Sequence, residues 1–265
     1  MKLKVTCFAL LVLFSFSASG QTENWKPLFN GKDLSGWKAV AGKATFEVKD
    51  GTIEGTAVYG TGNTFLVTEE EYTDFILEVD LMISHISSNS GVMARGQFDP
   101  SARNGQGLVF GYQIEADPSP RAWSGGIYDE ARRGWFFPLD LNPAAKSAFK
   151  LGEWNRYRIE AIGNTLKTWV NGQEVAYFVD DMDAKGFIGL QVHSIGEKED
   201  EGGDQEMLHH RRCGEPGHLR GQDQPVFFRP RHQPGEVVRR TGDIGIGEPD
   251  EVRLSRFGGF QALIH

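Results

Sequence analysis

Residues 107–117 read GLVFGYQIEAD. Leu108, Phe110, Tyr112, Ile114 and Ala116 alternate there with Val109, Gly111, Gln113, Glu115 and Asp117. Side chains two apart share a face of a β-strand, so one face of this strand is core and the other turns polar towards its end. Residues 187–193 (FIGLQVH) repeat the pattern, with Ile188, Leu190 and Val192 set against Phe187, Gly189, Gln191 and His193. So do residues 91–95 (GVMAR), where Val92 and Ala94 alternate with Gly91, Met93 and Arg95.

Around this nucleus the body reads as β. Strands are expected at Phe75–Ser84, Gly91–Arg95, Gly107–Ala116, Arg156–Ile162, Thr165–Val170 and Phe187–His193. Asp50-Gly51, Gly163-Asn164 and Asn171-Gly172 sit between alternating runs and supply the positive φ angles of tight hairpins. No stretch carries sustained helical periodicity, and only Pro143–Lys150 suits a turn of helix. Many short antiparallel strands in one unit point to an all-β sandwich or jelly roll.

Outward from this unit the two ends differ. Lys2 and Lys4, an apolar run from Cys7 to Phe16 and the small residues Ala18-Ser19-Gly20 read as a cleaved export signal over residues 1–20, with Gln21 first in the mature chain. The expected location is therefore periplasmic or extracellular, with no transmembrane segment after cleavage. Cleavage leaves Cys213 as the only cysteine, so no intramolecular disulfide is expected and the hydrophobic core carries stability. The chain has 28 basic and 36 acidic residues and no Lys/Arg stripe in its body, which argues against a nucleic-acid partner.

Residues 21–202 form the expected sandwich domain, and residues 203–265 differ from it in composition. They contain no Lys, Asn, Trp or Tyr, but nine Arg, ten Gly, five Pro and five of the seven His. Only Val226–Phe228 and Val252–Phe257 look strand-like there. The segment reads as an out-of-frame or foreign extension without a stable fold; a genuine flexible tail is the alternative.

Glycine inside a strand often marks close approach by a ligand or another backbone. Gly91, Gly111 and Gly189 all fall on the polar face, with Arg95, Gln113, Glu115, Asp117, Gln191 and His193. An ordinary solvated face gives the same letters on one strand; three strands repeating them favour a groove. Residues 119–135 (SPRAWSGGIYDEARRGW) follow as a long aromatic connection. Trp123, Tyr128 and Trp135 suit stacking on a sugar ring, and Arg132 and Arg133 suit hydroxyls or a carbonyl; the bland alternative is that the aromatics anchor the loop. No GxSxG, HExxH or Cys/His metal spacing occurs in the body, and His209-His210 follow tail composition.

Five segments also carry a resemblance. LFNGKDLSGW (28–37), NSGVMARG (89–96), GYQIEADPSPRAWSGGIYDEARRGW (111–135), WNRYRIEAIGNTLKTWVNG (154–172) and GFIGLQVHS (186–194) resemble, in order, motifs of the 3-keto-disaccharide hydrolase family. The resemblance spans about Trp25 to Gly202. It implies a concanavalin-like jelly-roll β-sandwich of two antiparallel sheets and exported enzymes acting on glycosides already oxidised at C3. Members close with a strand of the type VRWRNIRI, where this chain has GDQEMLHHRR (203–212). The closing strand is therefore expected to be missing, leaving an exposed edge.

A C3 ketone acidifies the C2 proton. A base can abstract it, the C1 substituent leaves, and water adds, giving net hydrolysis by elimination. On the implied substrate His193 is the base, since imidazole changes charge near neutral pH. Arg95 holds the oxyanion, Glu115 serves as acid or metal ligand, and Gln113, Asp117 and Gln191 hold hydroxyls. A divalent cation bound by Glu115, Asp117 and His193 is the alternative electrophile. A lectin-like, non-catalytic carbohydrate-binding module and an inactive truncated homologue are the competing readings.

Overall fold

The computed structural model describes residues 25–196, 226–229 and 261–264. Its strands in the first half are β1 (Trp37–Ala41), β2 (Thr45–Lys49), β3 (Thr52–Thr56), β4 (Thr64–Tyr72), β5 (Phe75–Ile83), β6 (Ser90–Asp99) and β7 (Leu108–Ala116). They continue as β8 (Ile127–Glu130), β9 (Gly134–Phe137), β10 (Asn155–Ile162), β11 (Thr165–Val170), β12 (Gln173–Val179), β13 (Gly186–Val192), β14 (Val226–Arg229) and β15 (Gln261–Ile264). Every expected strand forms, within a few residues of its expected ends. Pro143–Ser147 makes a short 3₁₀ turn. Asp50-Gly51 and Asn171-Gly172 take positive φ at both positions, so the hairpins they close keep the twist of their strands.

The strands build the two antiparallel sheets of a jelly-roll sandwich. One has the order β1-β4-β13-β6-β7-β8-β9, the other β12-β11-β10-β5-β14-β3-β2, with β15 also on β5. Tyr112, Ile114 and Ala116 of β7 face inward against Leu77, Val79 and Leu81 of β5 and Tyr157 and Ile159 of β10. The opposite face of the first sheet carries a smaller apolar cluster of Phe65, Val67, Met93, Val109 and Phe187, with Val40, Ala41 and Phe98 packed on it.

That outer face is concave. Asn63, just ahead of β4, donates its Nδ2 to Glu130 Oε1 of β8 at 3.1 Å. In sheet order β13, β6 and β7 lie between those two strands. Flat strands at ordinary spacing would hold the two about 19 Å apart, so the sheet curls and its rims meet across the face.

The expected missing strand is corrected by β14. Val226–Phe228 pairs with β3 and Val226–Arg229 with β5, filling the gap between them. Val226 and Phe228 are buried in the main core. β15 pairs with Phe75–Glu78 of β5, continuing along the edge that β14 begins at Asp80–Ile83. Two separated pieces of the atypical tail thus occupy the edge of β5. The reason is chemical: an apolar triplet before Arg229 suits a slot lined by Ile53, Leu81 and Ile83, whatever the composition around it. The rest of 203–265, Val252–Phe257 included, lies outside the described residues, as does the segment expected to be an export signal.

Candidate functional site

Register places the polar residues side by side. Glu115 of β7 pairs with Gly91 of β6, and Gln113 with Met93 on one side and Tyr128 of β8 on the other. A Cβ on Gly91 would lie 2.6 Å from the Gln113 side chain, so Gly91 is the recess into which Gln113 folds. Gln191 Nε2 donates to Gln113 Oε1 at 2.8 Å, and Gln113 Nε2 donates to Glu115 Oε2 at 3.1 Å. Asn89 Nδ2 donates to the other oxygen, Glu115 Oε1, at 2.6 Å. Gln191 is fully buried, and its Oε1 has no hydrogen-bond partner among the described residues.

Glu115 is the unusual group. Burial penalises its ionised form, and the hydrogen bonds from Asn89 and Gln113 offset this only in part. Its carboxyl is pushed up from 4.5 to about 7, with Asp117 adding to the rise and Arg121 opposing it. A carboxylic acid that holds its proton near neutral pH can donate it.

Arg121 lies against this carboxyl. Its Nη2 is 3.4 Å from Glu115 Oε1 and its Nε donates to Asp117 Oδ2 at 2.7 Å. The guanidinium sits 4.6 Å from the ring centre of Trp123 and 5.1 Å from that of Trp135. Trp135 in turn packs edge-on against Trp123 at 4.7 Å and tilts against Tyr128 at 5.0 Å. The three aromatics expected to flank a sugar thus form one half-buried cluster beside Glu115, and they also anchor the loop. Asp117 is drawn inward: it accepts from Arg121 and from the Ser119 N–H at 3.0 Å, which makes it a brace for the loop.

His193 follows the end of β13 and is exposed. Its Nδ1 lies 2.8 Å from the Ser194 carbonyl oxygen. A carbonyl oxygen only accepts, so Nδ1 carries the proton, and in the neutral ring Nε2 keeps the lone pair. The Ser194 N–H donates to Asn63 Oδ1 at 2.9 Å, and Asn63 reaches Glu130, whose carboxyl is also pushed up by burial. His193, Ser194, Ser88, Asn89 and Val226 line one small open pocket of about 30 Å³. Asn89 therefore borders His193 on one side and binds Glu115 on the other.

Three expected roles are corrected. Arg95 lies away from the groove, fully buried. It sits at φ 57° in a bulge where the β6–β7 register slips between Met93 and Gln97, and the extra residue breaks the alternation that put it beside Glu115. Its Nε donates to the Thr73 carbonyl at 2.6 Å, Nη1 to the Gly163 carbonyl at 2.7 Å, and Nη2 to Asp74 at 2.9 Å. It is a staple between turns.

Arg132 and Arg133 are likewise committed. Arg132 pairs with Asp129 and Asp183, and Arg133 with Asp129 at 2.5 Å and with Asp180 at 2.7 Å. Tyr112, whose hydroxyl bonds Asp180, lies on their side of β7, the face away from Glu115. They lock the β8–β9 hairpin to the connection before β13. Nor do Glu115, Asp117 and His193 converge as metal ligands: among the described residues no three His, Cys, Asp or Glu side chains are so grouped.

Against this geometry the comparisons are direct. The family described as the 3-keto-alpha-glucoside-1,2-lyase-like domain matches residues 24–201. The chain belongs to this family. No protein of curated function matches it. Among solved structures, a Bacillus subtilis protein with a galectin-like fold is 12% identical, covers 77% of this chain and 91% of its own, and gives a TM-score of 0.50. A provisionally named glycosyl hydrolase from Parabacteroides distasonis is 18% identical over 77% of this chain and 90% of its own, with a TM-score of 0.48. The carbohydrate-binding module CBM66 of Bacillus subtilis is 16% identical over 73% and 92%, with a TM-score of 0.43. At such identities the likeness speaks to fold alone, and this 3-keto-alpha-glucoside-1,2-lyase-like chain takes its chemistry from its own residues.

Proposed function

We propose that this chain is an exported enzyme that cleaves 3-keto-glycosides by removing the C2 proton, expelling the C1 substituent and adding water. Family membership supports glycosyl-hydrolase-like or carbohydrate-binding chemistry in a jelly-roll domain. The observation that carries the catalytic reading is Asn89, which donates to Glu115 and lines a pocket with His193, so that one side chain links the acid to the strand end that bears the base. His193 Nε2 accepts the C2 proton, and Glu115, protonated near neutral pH, gives its own to the departing oxygen. Gln191 and Gln113 hold the Glu115 carboxyl in place from within the sheet, and the Trp123, Tyr128 and Trp135 cluster supports the flat face of the sugar or its substituent. Export is part of the proposal, and a secreted protein beginning at Gln21 is the result expected from N-terminal sequencing.

A lectin-like module is the second reading, because the aromatic cluster with its stacked arginine also suits binding without turnover. His193→Ala separates the two. Turnover of a 3-keto-glucoside, followed by product mass, is expected to fall about 10²–10⁴-fold while the ligand still binds. Unchanged turnover removes His193 as the base, and binding with no turnover by the parent chain decides for the lectin.

A further inference from the structure

Removal of the C2 proton drives an electron pair onto the C3 oxygen, and Arg95, expected to meet that charge, is bound to distant carbonyls. We propose that Arg121 is the electrophile of this site, binding the ketone oxygen through its Nη1 edge and holding the enolate that forms. The assignment rests on the elimination reading above.

Four observations support it. Arg121 touches the proposed acid itself, at 3.4 Å from Glu115. Its Nε is fixed on Asp117 and its plane rests on Trp123 and Trp135, so the guanidinium is oriented in advance; a stacked arginine with one edge spent offers the other as a fork. Its Nη1 has no partner among the described residues, and its side chain is 41% exposed. Three other arginines near β6–β9 are consumed in ion pairs, Arg95 by Asp74, Arg132 by Asp129 and Asp183, Arg133 by Asp129 and Asp180, and Arg103 of the β6–β7 connection lies towards Glu130 instead of Glu115.

The step balances. His193 Nε2 takes the C2 proton, the C2–H pair becomes the C2=C3 bond, and the carbonyl pair moves onto the oxygen held by Arg121. That pair then returns, C3=O re-forms, C1=C2 forms, the C1–O bond breaks, and the leaving oxygen takes the proton of Glu115. Water adds across C1=C2, its hydroxyl to C1, while C2 regains a proton from His193 and Glu115 is reprotonated by the water. A donor aimed at a developing oxyanion is where binding becomes catalysis.

The test uses the intact chain, a 3-keto-glucoside and its parent glucoside. Arg121→Gln is expected to lower kcat by about 10²–10³-fold with a smaller change in KM, and Arg121→Lys to recover part of the loss. In the His193→Ala background the ketone is expected to bind more tightly than the parent alcohol, and adding Arg121→Gln should erase that preference. A loop role alone would weaken both ligands equally, which overturns the assignment. So does an Arg121→Gln enzyme within about threefold of the parent, an outcome that leaves the elimination reading standing. A parent chain that prefers the ketone through Arg121 but never cleaves it supports the contact and overturns the elimination.

Discussion

Replacing Glu115 by Gln should make the protein more stable at pH 8 and leave it nearly unchanged at pH 4. Burial raises this carboxyl from 4.5 to about 7. Between those values the folded chain holds a proton that the unfolded chain has released, so stability falls as pH rises. A raised carboxyl contributes fully below its unfolded value, loses ground up to about pH 7, and is flat beyond. The displacement corresponds to about 3 kcal/mol lost between pH 4 and pH 8. Glutamine has the same shape and no charge to bury, so it escapes the loss once the Asn89 and Gln113 amides reorient to match its donor. The assay is denaturant unfolding of both proteins at several pH values; groups untouched by the substitution cancel in the difference. The gap between them should open by about 3 kcal/mol, or about 6–12 °C in Tm for a chain of this size. A constant gap, or a Gln variant less stable at pH 8, would refute the reasoning, since it means that Glu115 is ionised and stabilised by Arg121 and Asn89.

Arg95→Met should cost about 3–5 kcal/mol, because it strands Asp74 and the Thr73, Gly163 and Asp183 carbonyls, yet leave kcat of the folded protein within about twofold; lost turnover at full stability would return Arg95 to the chemistry. Phe228→Ala should cost about 3–5 kcal/mol and speed amide exchange in β3 and β5, since the ring fills the main core. A neutral result would remove β14 from the sheet. Turnover should decline as pH rises through about 7, as Glu115 loses the proton it donates; a rate still climbing to pH 9 would exclude it as the acid.

The sandwich was legible because its strands alternate strictly. The run from Leu108 to Asp117 fixes both the buried face and the row of Gln113 and Glu115, and Gly91 marks the recess that Gln113 fills. Arg95 was misplaced because one non-glycine residue at positive φ reverses the parity of a strand, and its letter carries no warning. Arg132 and Arg133 share the nearby Asp129, but their second partners, Asp183 and Asp180, lie about fifty residues on, beyond any local pattern. Arg121 did leave a signal, four residues after Asp117 and two before Trp123, the spacing that its ion pair and its stacking use. Asn89 left none, since its contact with Glu115 depends on the β6–β7 register. The triplet Val226–Phe228 showed as strand-like, but its slot depends on topology.

The central claim is that cleavage proceeds through loss of the C2 proton, and the most direct measurement is turnover of a 3-keto-glucoside in D₂O with the released sugar analysed by mass and NMR. Against an enzyme-free control, the account predicts one deuterium at C2 for each glycoside cleaved, because the proton taken by His193 exchanges before water adds across C1=C2. Release of a sugar that keeps its original C2 proton would contradict it, since that outcome belongs to direct displacement at C1.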